Sequence, residues 1–162
     1  MIFACERREH LLENTYASLK DKVDFKFEKV ILSFDGECTG QPTEIVQPDI
    51  FLQSPERKGY VPSIRRALRH VDTEYFFWLE DDWSFNVNII LNQYLEILDN
   101  HPDASQLLFL KRSHSPKDAG KRIGGNVYVS KIGFSANPSL NRTSHVRHAL
   151  NAAPRKSPQN IE

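Results

Sequence analysis

One short segment constrains the fold more than any other part of the chain. Residues 75–79 form an uninterrupted apolar run, YFFWL, which ends directly in three carboxylates, Glu80, Asp81 and Asp82. A short apolar run of this kind predicts a strand that is buried on both faces, as in parallel sheets covered by helices. In open α/β sheets, ligands bind beyond the carboxyl ends of the strands. These three acids, called the acidic motif below, therefore mark a candidate binding site.

Strand and helix patterns alternate along the rest of the chain. Strands are expected at residues 2–5, 29–34, 50–52, 75–79, 107–110 and 127–129, and helices at about 8–20, 62–71, 86–99 and 143–150. Strands joined by connections of helix length favour a mainly parallel sheet. We therefore predict a single compact α/β domain, Rossmann-like, over residues 1–150, followed by a flexible tail over residues 151–162.

The composition favours a globular domain over a membrane-spanning, secreted or disulfide-rich protein. The chain has 162 residues, of which 40% are hydrophobic and 26% are charged, and this balance is typical of a globular domain. No apolar segment approaches the ~20 residues that cross a bilayer, and the first residues lack the order of a signal peptide. The two cysteines, Cys5 and Cys38, favour reduced thiols over a disulfide framework. These features predict a cytoplasmic protein without a membrane span.

Charge is distributed unevenly, although the formal net charge is zero. Residues 1–110 carry 11 basic and 19 acidic side chains, whereas residues 111–162 carry 10 basic and 2 acidic ones. The ordinary interpretation is a solvated basic segment. The alternative is that these basic residues fold over an anionic ligand held at the acidic motif. Nucleic acid is disfavoured as a partner because the basic segment lacks interleaved aromatic residues for base stacking.

The acidic motif itself has two interpretations. Asp82 or Ser84 would be a suitable N-cap for the helix expected at residues 86–99. A cap requires only one acid, however, and three adjacent carboxylates repel one another unless a cation is bound. A hard divalent ion that carries substrate phosphates, Mn²⁺ or Mg²⁺, meets that need. Strand alternation predicts that Glu80 and Asp82 point to one side and Asp81 to the other.

Polar residues also follow the other predicted strands. Glu6 and Arg7 come after the first strand, and Asp35 and Gly36 come after the second. Because the carboxyl ends of parallel strands meet at one edge of a sheet, we expect these segments to lie near the acidic motif. The ordinary interpretation of Asp35 and Gly36 is a simple turn.

Five segments together resemble glycosyltransferases of the GT-A fold. IFACERR at residues 2–8 is similar to the first strand and nucleotide-binding turn of that fold, and VILSFDG at 30–36 to its second strand. KGYVPSIRRAL at 58–68 is similar to the helix before the acidic strand of family-2-type enzymes, and FSANPSL at 134–140 to a late segment of some members. Residues 80–82 resemble the EDD variant of the DxD motif, found in N-acetylglucosaminyltransferases.

This resemblance implies an activity and a donor. It predicts a metal-dependent glycosyltransferase that moves a sugar from a nucleotide diphosphate, with a UDP-linked sugar favoured, to a carbohydrate or other hydroxyl acceptor. Asp82 would bind the Mn²⁺ or Mg²⁺ ion, while Glu80 and Asp81 would contact the donor. Inversion at the anomeric carbon is favoured by the resemblance alone.

The resemblance also implies which residues bind the nucleotide. The turn after the first strand would contribute Ala4, Cys5, Glu6 and Arg7. Asp35, with Gly36, would bind the uracil ring. Arg7, Lys58 and Arg65 could stabilise the diphosphate, because arginine makes bidentate contacts with phosphate. Their ordinary interpretation is surface charge.

The remaining candidates lie late in the chain. His145 and His148 follow the FSANPSL segment, and the resemblance implies that a late histidine completes the metal site, although a single histidine more often has a structural role. Inverting transfer needs a carboxylate that takes the proton of the acceptor hydroxyl. Among the acids after residue 82, only Asp118 falls on a loop that leads toward the ligand side. Asp118 is therefore the candidate general base.

Alternatives to this interpretation stay open. The chain is short for the family, which favours either a minimal enzyme, a homodimer that completes the acceptor site, or a nucleotide-sugar-binding protein without catalysis. A sugar nucleotidyltransferase would share the sheet and the metal. Such enzymes have a glycine-rich phosphate loop after the first strand, and residues 5–8 contain no glycine.

Overall fold

The computed structural model describes residues 1–38, 40–110, 119–130 and 134–152. The strands are β1 (Ile2–Cys5), β2 (Val23–Asp24), β3 (Ile31–Asp35), β4 (Ile50–Ser54), β5 (Tyr75–Glu80), β6 (Ile89–Ile90), β7 (Gln106–Leu108), β8 (Ala119–Gly124), β9 (Val127–Ser130) and β10 (Ser139–Arg142). The helices are α1 (Glu9–Lys22), α2 (Pro42–Val46), α3 (Tyr60–Leu68), α4 (Leu91–Asp99) and α5 (Thr143–Ala152).

A six-stranded sheet with the order β4-β3-β1-β5-β10-β7 forms the centre of the structure. The first four of these strands are parallel to one another. Strand β10 is antiparallel to both β5 and β7. The predicted α/β fold with a mainly parallel sheet is therefore confirmed. We call the edge formed by the carboxyl ends of β1, β3 and β5 the carboxyl edge, and the opposite one the amino edge.

The apolar run in β5 is buried on both faces of the sheet, as predicted. Phe77 and Leu79 join one hydrophobic cluster, which contains residues from α1 and α4. Phe76 and Trp78 join a second cluster, on the side of α3 and α5. Complete burial of side chains of this size stabilises a fold by about 1.5–3 kcal/mol each. The run thus fixes β5 as a central strand and places its carboxyl end at the surface.

The helix expected at residues 86–99 starts later than the sequence pattern predicted. Val87 is 66% exposed, and Ile89 and Ile90 form the short strand β6, which pairs in parallel with β2. Helix α4 begins only at Leu91. The apolar spacing suited a helix, but pairing with Val23 and Asp24 gives the backbone of Ile89 and Ile90 another set of partners.

Besides the short strands β2 and β6, strands β8 and β10 were not predicted, because their sequences lack the alternation that marks a strand. Strand β8 lies in a segment rich in glycine and lysine, where a loop was expected. Strand β10 continues from the FSANPSL segment and is identified only by its pairing with β5 and β7. Helix α5 reaches Ala152, two residues into the predicted tail. In the described part of the chain, no helix has both the length and the apolar character needed to cross a membrane.

Candidate active site

The acidic motif lies at the carboxyl edge, between the ends of β1 and β5. Strand β5 ends at Glu80, and Asp81 and Asp82 form the turn that follows. The backbone N–H of Cys5 donates to Asp81 Oδ2 at 3.3 Å. From α1, the buried Thr15 hydroxyl donates to the carbonyl of Asp81 at 2.7 Å and accepts the N–H of Trp83 at 3.0 Å. These contacts from two elements fix the backbone of the turn.

Arg8 joins the two aspartates of the motif. Its Nη2 atom lies 2.9 Å from Asp81 Oδ1 and 2.9 Å from Asp82 Oδ2. The Asp81 side chain is only 6% exposed, whereas that of Asp82 is 44% exposed. Asp82 also acts electrostatically on Glu80, and the prediction that these two side chains share one side stays a prediction. Strand alternation ends at Glu80, and the turn brings Asp81 and Asp82 to the same guanidinium group.

Glu80 instead contacts residues on the α3 side of the sheet. The Tyr60 hydroxyl is hydrogen-bonded to Glu80 and accepts the Trp78 indole N–H at 3.0 Å. Burial raises the pKa of Tyr60, and the hydrogen bond to Glu80 acts in the same direction. Burial also raises the pKa of Glu80. This carboxylate is thus held by the first residue of α3.

The charges of the motif are only partly compensated. Burial raises the pKa of Asp81 to about 6, although Arg8 acts in the opposite direction. Burial alone would lower the pKa of Arg8, but Asp81 and Asp82 outweigh it, so the pKa of Arg8 is raised. One guanidinium faces three carboxylates, which leaves an excess of negative charge at this edge of the sheet.

Asp35 anchors the segment before α3. Its carboxylate is 7% exposed and accepts the backbone N–H groups of Lys58 at 3.0 Å and Gly59 at 2.8 Å. Its carbonyl accepts the N–H of Glu6 at 3.2 Å, which ties the turn after β1 to the end of β3. Asp35 therefore has a structural role that the sequence did not indicate. Contact with a nucleobase stays a prediction.

Gly36 allows the turns after β1 and β3 to meet. It has a φ of +113°, and a Cβ atom there would lie 2.7 Å from Glu6 Oε2. Glu6 in turn accepts the N–H of Glu37 at 3.2 Å. The structure thus brings the segments after β1, β3 and β5 together at the carboxyl edge, as the strand order led us to expect.

The other predicted donor contacts occupy different environments. Ala4 is buried in the core, so its side chain is not available to a ligand, and Cys5 is half-buried. Arg7 is exposed and has a φ of 65°, a left-handed conformation. Lys58 is exposed, with its backbone N–H on Asp35. Arg65 donates to the carbonyl of Leu150 at 2.5 Å and so joins α3 to α5; a contact between Arg65 and phosphate stays a prediction.

The two histidines are not brought to the acidic motif. Because β10 runs antiparallel to β5, α5 starts at the amino edge, where Thr143 N–H donates to the carbonyl of Glu74 at 2.9 Å. His145 Nδ1 lies 3.0 Å from the Ser105 hydroxyl, directly before β7 at the same edge. His148 is exposed, about one turn further along α5. The expected metal role of both histidines conflicts with this reversal of the chain, which the sequence did not reveal.

Two further expectations concern the late part of the chain. Asp118, the predicted general base, lies outside the described residues. Among the described basic residues after position 110, Arg142 pairs with Glu74 at 2.8 Å, and Arg147 donates to the carbonyls of Leu68 and Val71. Both arginines therefore lie away from the acidic motif and do not cover it.

The acidic motif fits a divalent ion that arrives with phosphate. In the described ranges, no three His, Cys, Asp or Glu side chains form a group that could hold a metal ion by themselves. Mg²⁺ at substrate phosphates commonly uses only one or two protein carboxylates. Asp82 offers an exposed carboxylate beside Asp81, and both supply the oxygen ligands that Mg²⁺ and Mn²⁺ prefer. This donor set is therefore suitable for either ion.

Sequence reasoning missed two residues of the site, namely Arg8 and Thr15, whereas Tyr60 was expected beside the site as an apolar platform for a sugar ring or as a core residue. Thr15 carried a signal, since it lies on the buried stripe of α1 between Leu12 and Leu19, where a polar residue needs a partner. Arg8 carried none, because it is next to another arginine.

Comparisons with solved structures agree with this fold. The structure is similar to the crystal structure of S. aureus TarS residues 1–349, with a TM-score of 0.63 and 18% sequence identity. The match covers 91% of this chain and 48% of the TarS chain. The structure also matches the mannosyltransferase PcManGT from Pyrobaculum calidifontis, with a TM-score of 0.65, 15% identity, and 91% and 45% of the two chains covered. At these identities the likeness shows the fold, and the chain spans less than half the length of either protein.

The family assignment comes from the sequence. No curated protein matches the chain. A family model described as Glycosyl transferase family 2 matches residues 1–158, which is nearly the whole chain. The protein therefore belongs to glycosyl transferase family 2.

Proposed function

We propose that the protein transfers a sugar from a nucleotide diphosphate, most simply UDP, to a hydroxyl acceptor with the help of a divalent ion. The observation that carries this proposal is the convergence of the acidic motif with the turns after β1 and β3 at the carboxyl edge. The likeness to a mannosyltransferase whose structure contains GDP-Man and Mn²⁺ supports the same class of donor and ion.

In this proposal, different residues of the site bind the ion, the phosphates and the nucleobase of the donor. Asp82, with its exposed carboxylate, would hold the ion, with Asp81 beside it. When bound, the ion neutralises negative charge on the departing diphosphate. The exposed side chains of Arg7 and Lys58 flank the same edge and would contact the phosphates. Asp35 holds the Lys58 backbone in place and, in this proposal, also contacts the nucleobase.

The acceptor side of the proposal rests on fewer residues. Inverting transfer needs a carboxylate that takes the proton of the acceptor hydroxyl, and Asp118 stays the candidate for that role. A second copy of the chain could complete the acceptor site. Neither point is needed for donor binding, so donor binding is the first property to test.

Calorimetry with UDP tests the proposal directly. We expect measurable UDP binding with Mn²⁺ and at least tenfold weaker binding in its absence, because the ion would offset the repulsion between the diphosphate and the acidic motif. Asp82→Asn should remove the effect of Mn²⁺ while changing stability by about 1 kcal/mol or less, because its ion pair is exposed. Asp103→Asn, an exposed acid after α4, is the matched control and should bind as the wild type does.

Two results would contradict the proposed binding site. Equal affinity for UDP with and without Mn²⁺, or an unchanged Mn²⁺ effect in Asp82→Asn, would refute the proposed site. Release of UDP from a panel of UDP-sugars and GDP-mannose then separates an enzyme from a binding protein. Tight binding without any release, with acceptors present, would favour the binding protein.

A further inference from the structure

Arg8 makes an unusual contact with the acidic motif. A single nitrogen, Nη2, lies 2.9 Å from a carboxylate oxygen of Asp81 and 2.9 Å from one of Asp82. Arginine commonly binds a carboxylate through two nitrogens in a fork. Here one nitrogen bridges two acids, as a point-like cation would. Arg8 therefore occupies the position that a cation between these carboxylates would take.

The Arg8 side chain also contains an unsatisfied donor. Its Nε atom is buried and has no hydrogen-bond partner among the described residues. A buried donor without an acceptor destabilises the arrangement that contains it. The Arg8 backbone, in contrast, is fixed, because its carbonyl accepts the N–H groups of Leu11 and Leu12 at 3.0 and 3.2 Å at the start of α1. The side chain of Arg8 can thus move while its backbone stays in place.

The two contacts of Arg8 differ in how easily they can be broken. The Asp82 side chain is 44% exposed, so water can replace the guanidinium there. Asp81 is buried and also accepts the N–H of Cys5, so loss of Arg8 would leave its charge poorly compensated. When a second cation competes for the pair, Arg8 should therefore release Asp82 and keep Asp81.

We propose that Arg8 is an internal counter-cation that competes with the divalent ion for Asp82. In the metal-free protein Arg8 binds both aspartates and limits their repulsion. When the ion arrives with the donor diphosphate, Arg8 gives up Asp82 and stays on Asp81. Arg8 is then a positioning residue, which lowers the affinity for the free ion. This inference rests on the proposed function in one respect, the assignment of Asp82 as the metal ligand.

Titration of Mn²⁺ in the absence of nucleotide, followed by the electron paramagnetic resonance of the free ion, tests the proposal. Arg8→Gln should bind Mn²⁺ about tenfold or more tightly than the wild type, since an adjacent unit charge changes the ionic equilibrium of a carboxylate by that order. Arg8→Lys keeps the charge and should stay within about threefold of the wild type. Adding Asp82→Asn to Arg8→Gln should remove the gain.

Controls address charge and folding. Arg57→Gln removes an exposed arginine that acts electrostatically on Cys5, so it tests for a general change in the local field. It should alter Mn²⁺ affinity by less than about threefold. Urea unfolding reports whether each variant is folded. If Arg8→Gln is unfolded, Arg8→Met, which keeps an apolar stem without the charge, provides the same test.

The outcomes separate this inference from the proposed function. Unchanged or weaker Mn²⁺ binding by the folded, uncharged Arg8 variant overturns the inference, even if the wild type binds UDP in an Mn²⁺-dependent way. Tighter Mn²⁺ binding that depends on Asp82 supports the inference, even if no nucleotide sugar binds to either protein. A lack of nucleotide-sugar binding would refute the proposed function and leave this inference intact.

Discussion

Replacement of Asp35 by alanine should destabilise the protein, because this carboxylate connects the end of β3 to the start of α3. Both of its oxygens are used, one by the N–H of Lys58 at 3.0 Å and the other by the N–H of Gly59 at 2.8 Å. Asp35 itself is almost completely buried. Its removal leaves two backbone donors without the acceptor that holds them in place.

The size of the effect follows from the two bonds. A hydrogen bond to a charged group contributes about 1.5–3 kcal/mol. Lys58 and Gly59 are exposed, so water can replace part of what is lost, which reduces the loss to about 1–2 kcal/mol for each bond. The free energy of unfolding should therefore fall by about 2–4 kcal/mol. In a chain of this size, that fall lowers Tm by roughly 5–15 °C.

Urea unfolding, followed by circular dichroism, measures this change. Asp49→Ala is the matched control, because among the described residues Asp49 accepts one backbone N–H, that of Val30 at 2.7 Å, at an exposed position. It should cost about 1 kcal/mol. Asp35→Asn keeps one acceptor oxygen and should fall between the two alanine variants. If Asp35→Ala costs no more than Asp49→Ala, the carboxylate does not anchor the segment before α3.

Two further predictions concern backbone strain at two glycines and the raised pKa of Tyr75. Gly59→Ala should lower stability by about 1–2 kcal/mol in urea, because its φ of +86° disfavours a side chain while nothing lies within 4 Å of the new Cβ. Gly36→Ala should cost more, since its Cβ also meets Glu6, and equal losses would contradict this steric reasoning. Burial and a hydrogen bond to Asp99 raise the pKa of Tyr75 to about 12, so its stabilising contribution, complete below pH ~10, should be lost as the pH rises toward 12. Alkaline absorbance titration should show this late ionisation, and Tyr75→Phe should lack it; its persistence in the variant would refute the assignment.

The sequence was sufficient for the features that depend on local pattern. The apolar run before Glu80 is buried alternately in two clusters, and this requires a strand covered on both faces. The parallel neighbours of that strand follow from the helix-length connections, so the carboxyl edge and the meeting of its turns could also be predicted.

Features that depend on distant partners could not be predicted in this way. The direction of β10 is set by its pairing with β5 and β7, and it carries His145 to the amino edge. Similarly, Ile89 and Ile90 fit a helical stripe in sequence, but they pair with β2, which lies more than sixty residues earlier. A pattern within one segment contains no information about such partners.

The acidic motif shows why adjacent residues of one type can have separate roles. Three carboxylates in sequence look equivalent, yet Glu80 is held by Tyr60, Asp81 is buried against Cys5 and Arg8, and Asp82 is open to water. The difference arises because the strand ends inside the motif, so each side chain meets a different element. Burial prevents Asp81 from exchanging its partners at low cost, whereas exposure allows Asp82 to do so. In the proposed enzyme, the ability to bind and release a charged ligand would therefore belong to Asp82.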